Sequence, residues 1–472
     1  MEPTPNAQVH CAPGLGFELN DQTPCVLDAG KTEGRFVNNY FDGIPVRGIH
    51  ALLFFIIMAA YFFEQFDNWN FGFAAPAIAQ SWGLKPTDIA TILFWYFIGM
   101  TSGGFVGGVI SDLIGRRKTF LISIVIFSVS SIITGFTDSF VIFTIFRALT
   151  GFGVFCMMVT SQAYIAEMAP CESRGMWQGR VAAVGFCAVP FVALACRMVI
   201  PMADEAWRFI FYAGGLGVVP FLLGLKYLKE SPRWLVAHGR IREAEEVVRY
   251  LTGKDIDLSE AAKSVQPKIA VTDVLVGMFT RRYIGRTLLL MLLFVATTPA
   301  TFLLTTWTTQ LLKMLGFSVQ ETLTAMTVIS IGVPVGCFLA SLVSDLGGRK
   351  LPLAALAALA AIFALIFGAM KSLVLLTLLG FTVTAFVMAM GFTLFSYTAE
   401  SYPTRMRNTA TGFHNGLARL SVSGSQFFIP MIHAAHGFAG IFTTVAILLF
   451  LPVIPLLLWG QRTGGKSLEE IE

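Results

Sequence analysis

Residues 108–117 read GVISDLIGRR, and residues 341–350, which begin 233 positions later, read SLVSDLGGRK. The same offset relates Glu167 to Glu400, with no net insertion between the two halves. A register kept over such a distance indicates that the chain is a duplicated unit. Parallel repeats of several membrane spans, related by an axis along the membrane normal, are one way to build a membrane protein around a central site. The two stretches therefore predict a pseudo-symmetric membrane protein made of two similar bundles.

The composition of the 472-residue chain places it in a lipid bilayer. Hydrophobic residues make up 55% and charged residues 13%, which excludes an ordinary soluble domain. Twelve apolar runs approach the roughly 20 residues that a helix needs to cross the hydrocarbon core. We expect an all-α membrane protein with twelve transmembrane helices in two six-helix bundles. The predicted divisions are an N-terminal tail at 1–47, bundles at 48–228 and 287–460, a cytoplasmic linker with an amphipathic helix at 229–286, and a C-terminal tail at 461–472.

The distribution of cations predicts the orientation in the membrane. Lys and Arg of short loops are retained on the cytoplasmic side, and in this chain they concentrate in alternate loops and in the C-terminal tail. We expect a multi-pass protein of the inner or plasma membrane with both termini in the cytoplasm and no cleavable signal before the first span. The net charge of +4 fits loops that face an anionic leaflet and requires no nucleic-acid partner.

The residues do not predict an enzyme. The sequence contains no nucleophile elbow, phosphate-binding loop or zinc-binding His/Glu pair, and its seven cysteines have no metal-ligand spacing. We therefore expect no metal and no cofactor, with a proton as the only coupling ion.

The repeated stretch predicts a tight cytoplasmic turn, and it resembles the corresponding motif of the major facilitator superfamily. Asp112 at the C-terminal end of a helix faces the negative end of the helix dipole and needs a cation such as Arg116. Such a pair would hold one conformation of the protein, and Glu167 and Glu400 would pair with arginines in the same gate. Alternatively, Arg116 and Arg117 only anchor the topology, and Asp112 caps a turn. The predicted cytoplasmic gate comprises Asp112, Arg116, Arg117, Glu167, Arg174, Asp345, Arg349, Glu400 and Arg407, with Glu167 paired to Arg174 and Glu400 paired to Arg407.

Ionisable residues that break the repeat are candidates for function. Asp67 and Arg147 lie in apolar runs where the second half has Ala300 and Gly380, and each buried charge costs several kcal/mol without a partner or cavity. Glu64 lies three residues before Asp67 on the same helix face. Because removal from water favours the protonated form of a carboxyl group, we expect Asp67 to carry a proton and Arg147 to sense its charge. The alternative is a permanent, purely structural pair.

Shorter motifs point to a group within the superfamily. The stretch 64–78, EQFDNWNFGFAAPAI, resembles the first span of the aromatic acid:proton symporters, with Glu64 and Asp67 at the two acidic positions. The Ala-Arg-Leu triplet around Arg419 resembles a motif of their eleventh span, and this resemblance implies that Arg419 holds the substrate carboxylate. By contrast, the stretch 230–235, ESPRWL, looks more like sugar porters and organic-ion transporters.

A ring-shaped anion would need flat apolar walls and a few convergent polar groups. The predicted substrate-binding residues are Arg419, His414, Asn415, Asn68, Trp307 and Tyr397, although His414 is equally well interpreted as a satisfied buried imidazole. We hypothesise a monomeric, proton-coupled symporter that imports a small organic anion, such as an aromatic monocarboxylate. The alternatives are a sugar or polyol porter, an organic-ion exporter, or a membrane sensor that binds ligand without transport.

Overall fold

Two sets of six helices flank a linker in the computed structural model, which describes Phe41 and residues 46–170, 173–255, 257–258, 271–344 and 348–461. The first set comprises α1 (Gly48–Trp82), α2 (Pro86–Ile114), α3 (Arg116–Phe136), α4 (Phe140–Met168), α5 (Arg174–Met202) and α6 (Trp207–Tyr227). The linker holds α7 (Pro232–Ala237), α8 (Ile241–Thr252) and α9 (Val271–Met278). The second set comprises α10 (Ile284–Met314), α11 (Val319–Val343), α12 (Lys350–Ala369), α13 (Leu373–Glu400), α14 (Thr404–Ser425) and α15 (Phe428–Trp459). The predicted fold class is confirmed.

One of the twelve helices is polar. Among the described residues, eleven helices are long and apolar enough to cross a membrane, and α14 is the remaining member of the second set. The sequence predicts an apolar run over 409–432, and its bounds are wrong, because α14 ends at Ser425 and the next helix begins at Phe428. Helix α14 packs against α2 and α10, so it faces other helices, where polar side chains find partners that lipid does not offer.

The repeat is visible in how the helices pack. A Cβ atom on Gly99 of α2 would overlap the carbonyl oxygen of Ala148 in α4, and one on Gly332 of α11 would lie 2.6 Å from the carbonyl oxygen of Phe381 in α13. Both partners of the second contact lie 233 positions after those of the first. The two bundles therefore bring helix backbones together at equivalent places, where any side chain would separate them.

The linker contains the predicted amphipathic helix. Helix α8 buries Ala244, Val247, Val248 and Leu251 on one face, which is the spacing expected of a helix that covers an apolar surface on one side. It contacts α1 and the short helix α7. The linker is thus attached to the N-terminal bundle along this face.

Helices α10 and α6 each contain an irregular turn next to a residue of the candidate site. Residues 303–307 of α10 form a π-helical turn after Pro299, and residues 215–217 of α6 form a 3-10 turn. Irregular turns of this kind are frequent at functional sites. Both turns adjoin the residues described next, Phe302 and Gly214.

Candidate transport site

Asp67 of α1 and Arg147 of α4 form a fully buried ion pair. The Arg147 Nη1 atom lies 3.6 Å from the Asp67 Oδ1 atom, and the two side chains are 1% and 0% exposed. Arg147 Nη2 also donates to the backbone carbonyl of Asp67 over 3.4 Å. The sequence predicted both residues, and the structure places them together.

Neutral donors surround the Asp67 carboxylate, and sequence reasoning missed them. Its Oδ1 atom accepts hydrogen bonds from Ser131 Oγ of α3 and from Asn70 Nδ2, each over 2.6 Å. A Cβ atom at Gly214 of α6 would lie 2.6 Å from the same oxygen. Three helices therefore shape a pocket that fits one carboxylate, and these donors stabilise its ionised form.

Aromatic rings enclose the guanidinium of Arg147. Its Cζ atom lies 4.8 Å from the ring centroid of Tyr96, 5.5 Å from that of Phe211 and 5.9 Å from that of Phe71. A cation over ring faces is stabilised electrostatically, most of all when water is excluded. The Tyr96 hydroxyl donates to Asn68 Oδ1 over 2.6 Å, so Tyr96 connects the ion pair to a predicted substrate-binding residue.

Arg419 of α14 lies between one ring from each bundle. Its Cζ atom is 4.8 Å from the ring centroid of Phe155 in α4 and 4.6 Å from that of Phe302 in α10. The buried Nη1 atom of Arg419 has no hydrogen-bond partner among the described residues. A half-buried guanidinium with a free donor and flat apolar walls suits a planar carboxylate.

Glu64 lies on the same side of α1 as Asp67 and faces the second bundle. The side chain is 1% exposed, and its Oε2 atom has no hydrogen-bond partner in the part of the chain that the structure describes. Glu64 interacts electrostatically with the cation of Arg419 and with the like-charged Asp67, and no ion pair within 4.0 Å joins it to Arg419. Two acids and two arginines thus converge at the centre.

The other predicted substrate residues are not all at this centre. Trp307 is buried and donates from Nε1 to Gln426 Oε1 over 2.7 Å, and Asn415 donates to the Thr411 carbonyl over 3.1 Å. The Tyr397 hydroxyl accepts from the Gln461 backbone over 2.9 Å, so the contact described for Tyr397 is with the segment after α15. Its part in substrate binding stays a prediction that this position does not favour.

His414 belongs to a buried hydrogen-bonded group near the start of α14. Its Nε2 atom lies 3.1 Å from the Tyr402 hydroxyl, which lies 2.9 Å from Thr287 Oγ1, and its ring stacks on Phe294. Burial raises the pKa of Tyr402 to about 12, so the phenol stays protonated and can donate to the imidazole. The structure therefore satisfies one ring nitrogen of His414, whereas the buried Nδ1 atom has no hydrogen-bond partner among the described residues.

The predicted gate residues of the first bundle form one network. Arg116 pairs with Asp112 over 2.5 Å and with Glu167 over 3.0 Å. Glu230 of the linker accepts from the backbone N–H groups of Arg116 and Arg117 over 2.7 and 3.0 Å, so a carboxylate caps the N-terminus of α3. Sequence reasoning had treated Glu230 only as part of a family motif.

Gly115 explains why the motif needs a glycine at this turn. Its φ angle is +103°, a left-handed conformation that side chains disfavour, and a Cβ atom there would overlap the Glu230 carboxylate. The glycine therefore allows the turn and admits the capping acid.

The second bundle repeats the pairing. Arg349 pairs with Glu400 over 2.5 Å, and both residues lie 233 positions after Arg116 and Glu167. The structure thus pairs the two glutamates with arginines at the starts of α3 and α12, and their predicted pairing with Arg174 and Arg407 stays a prediction. Asp345 lies outside the described residues.

The two bundles also meet through aromatic residues near the centre. The rings of Trp69 in α1 and Phe302 in α10 stack with centroids 6.0 Å apart and an interplanar angle of 6°. Nearby, a Cβ atom on Gly72 would lie 3.1 Å from the Thr306 Cα atom. Helices α1 and α10 are therefore in direct contact here.

A separate cavity of about 530 Å³ lies between α2 and α4, and it is not part of this centre. Its lining is apolar and includes Trp95, Ile145 and Leu149, which are exposed on the outer surface of the bundle. None of the predicted site residues lines it.

Comparison with known proteins identifies related transporters. The inner membrane metabolite transport protein YdjE of Escherichia coli is 27% identical over 445 residues, which cover 91% of this chain and 97% of the relative. The niacin transporter NiaP of Acinetobacter baylyi is 24% identical over 434 residues, covering 91% and 98%. The gallate transporter of Pseudomonas putida is 25% identical over 439 residues, covering 90% and 95%.

A solved structure and a family profile point to the same class of protein as these relatives. The inward open conformation of the xylose transporter XylE from E. coli superposes with a TM-score of 0.72 at 21% identity, over 90% of this chain and 99% of that one. The sequence profile of the Major Facilitator Superfamily matches residues 57–426. The relatives are transporters and not enzymes, and the eleven apolar helices of the described residues give this chain a multi-pass architecture. This protein therefore belongs to the Major Facilitator Superfamily and is a membrane transporter of a small molecule.

Proposed function

We propose that this protein is a proton-coupled symporter that imports a small organic anion, an aromatic monocarboxylate, by alternating access. The observation that carries the proposal is the position of Arg419 between Phe155 and Phe302, with a buried donor free to bind. Guanidinium binds carboxylate through a planar fork, and the flanking rings match an aromatic ring in shape. The protein is proposed to work as a monomer in the inner or plasma membrane with both termini cytoplasmic.

The names of two relatives support this substrate class. One is a niacin transporter and another is a gallate transporter, and both of those compounds are aromatic rings that carry one carboxylic acid group. An anion with this shape fits a site that offers one guanidinium and aromatic walls.

Coupling to protons follows from the acids of α1. A substrate anion adds a negative charge to a site that excludes water, where an uncompensated charge is costly. A proton on an α1 carboxyl group offsets that charge, and Arg147 responds because its partner Asp67 lies in the same centre. In this proposal the loaded, neutralised site is the form that changes from outward-facing to inward-facing.

A sugar porter is the second candidate. The Glu230 motif of the linker resembles sugar porters, and its carboxylate caps α3; the xylose transporter has the same fold. Sugar binding would depend on neutral polar side chains and would tolerate Arg419→Lys, which retains the charge but loses the planar fork.

The test is uptake of radiolabelled benzoate, nicotinate, gallate and xylose by proteoliposomes under an imposed pH difference. For one proton per anion we expect accumulation of about tenfold per pH unit, lost in Asp67→Asn. Arg419→Lys should weaken anion binding by about tenfold or more. Arg197→Lys is the matched control, because Arg197 lies in α5 with an exposed side chain. Xylose uptake without anion uptake would reject the proposal.

A further inference from the structure

Glu64 and Arg419 are oppositely charged groups with unused bonding capacity on opposite sides of the bundle interface. Glu64 Oε2 and Arg419 Nη1 are both buried, and neither has a hydrogen-bond partner within the described residues. They interact electrostatically, yet they do not form an ion pair within 4.0 Å. Unsatisfied buried polar groups are costly in a native structure and mark places where a ligand supplies the missing bonds.

The two acids of the centre differ in how their ionised forms are stabilised. Asp67 faces Arg147 and accepts short hydrogen bonds from Ser131 and Asn70. For Glu64 the neighbouring donor on α1 is the neutral amide of Gln65, and the neighbouring cation is Arg419. The charge of Glu64 therefore depends mainly on Arg419, whereas Asp67 has compensation of its own.

A bound anion changes the net charge of the centre. With both acids ionised, Glu64, Asp67, Arg147 and Arg419 sum to zero. A substrate carboxylate that binds Arg419 brings the centre to minus one and takes from Glu64 the cation on which its ionised form relies. Because a buried net charge is unfavourable, the carboxyl group with the weakest stabilisation takes up a proton.

We propose that Glu64 is the residue that takes up a proton from the aqueous phase when the substrate carboxylate replaces it as the partner of Arg419. The proton adds to the Glu64 carboxylate, and no other bond breaks. The groups that face Glu64 are Asp67 and Tyr61 of α1, Tyr96 of α2 and Arg419 of α14. This inference rests on the proposed function and gives the two acids different parts: Glu64 responds to substrate, and Asp67 maintains the pair with Arg147.

The test measures proton uptake and the protonation of carboxyl groups when the anion binds. Purified full-length protein is titrated with benzoate, nicotinate or gallate by calorimetry in two buffers of different ionisation enthalpy, and infrared difference spectra record the carbonyl stretch of protonated carboxyl groups. The wild-type protein should take up about one proton per bound anion, and its infrared difference spectrum should gain a band from a protonated carboxyl group. Glu64→Gln, which mimics the protonated acid, should bind the anion with neither signal. Glu64→Asp should restore both, which excludes a folding defect as the explanation.

The possible results separate this inference from the proposed function. Glu205→Gln, which alters an acid paired with Arg208 outside the centre, should behave as wild type. An unchanged proton uptake or carboxyl band in Glu64→Gln would overturn the inference, and so would wild-type binding without proton uptake. If none of the three anions binds the wild-type protein, the proposed function itself fails, and the inference fails with it.

Discussion

The centre of the N-terminal bundle is charged, whereas the equivalent place in the C-terminal bundle is apolar. Adding 233 to each number converts Asp67, Asn70, Ser131 and Arg147 into Ala300, Leu303, Ala364 and Gly380. These four replacements are buried, so the second bundle keeps the packing and omits the ion pair. Conversely, Arg419 of the second bundle corresponds to Phe186 of the first. The N-terminal bundle supplies the ion pair of Asp67 and Arg147, and the C-terminal bundle supplies Arg419. The proposed site is complete only where the two bundles meet.

The predicted gate shows the opposite relation, because both bundles keep the same ion pair there. Arg116 with Glu167 and Arg349 with Glu400 are equivalent pairs. A duplicated scaffold retains what both halves need for packing and for the conformational change. It diverges where one half alone performs chemistry.

The largest expected effect comes from making the first centre resemble the second. Arg147→Met leaves Asp67 buried without its cation, so we expect loss of uptake and a decrease of about 3–5 kcal/mol in the free energy of unfolding. Thermal unfolding in detergent and uptake in proteoliposomes measure the two effects. The double variant Asp67→Ala with Arg147→Met should regain most of the stability but no proton-driven uptake. A fully stable single variant would show that the pair contributes nothing.

A smaller effect is expected at Gly214. In Gly214→Ala the new Cβ atom would lie 2.6 Å from Asp67 Oδ1 and 2.7 Å from Ser131 Oγ, which forces the carboxylate to move. We expect about 2 kcal/mol of destabilisation and proton-driven uptake reduced by about tenfold. Gly179→Ala is the matched control, because a Cβ atom there has nothing within 4 Å. Equal behaviour of the two variants would contradict the tight fit around Asp67.

Removing a single donor should have a more modest effect. Ser131→Ala introduces the residue found at the equivalent position 364 and deletes the 2.6 Å hydrogen bond to Asp67. We expect a loss of about 1.5 kcal/mol, measured by thermal unfolding, since bonds to charged groups exceed neutral ones. The control is Ser123→Ala on the same helix, whose hydroxyl donates to the Thr119 carbonyl. A larger loss in the control would mean that the Asp67 carboxylate does not need this donor.

The smallest effects should be equal in the two bundles. Glu167→Gln and Glu400→Gln each remove one partly exposed ion pair of the predicted gate, so we expect the free energy of unfolding to fall by about 0.5–1 kcal/mol in each case. Thermal unfolding and the rate of uptake at saturating substrate check both variants. A large loss of stability or uptake in only one of the two variants would show that the two ion pairs are not equivalent.

The sequence predicted the fold, the repeat and the main charged residues because each leaves a pattern along the chain. Asp67 and Arg147 stood out as ionisable groups in apolar runs. Ser131 and Gly214 did not, since small residues are common in membrane helices and gain a role only when α3 and α6 meet α1.

Pairings between distant segments were also hidden. Glu230 caps α3 from 114 residues away, and Trp307 donates a hydrogen bond to Gln426, just after α14, from 119 residues away. Periodicity reports the exposed and buried faces of one helix, and it does not report which neighbour a face meets. For the same reason Tyr397 was assigned to the substrate site although its hydroxyl contacts the chain after α15.

Trp69 and Phe302 are not an arbitrary couple, because 69 plus 233 is 302. Two points that are images of each other and also touch must straddle the rotation axis, each within about half of their 6.0 Å separation. This axis runs along the membrane normal, so the stacked rings mark the line along which each half meets its own counterpart.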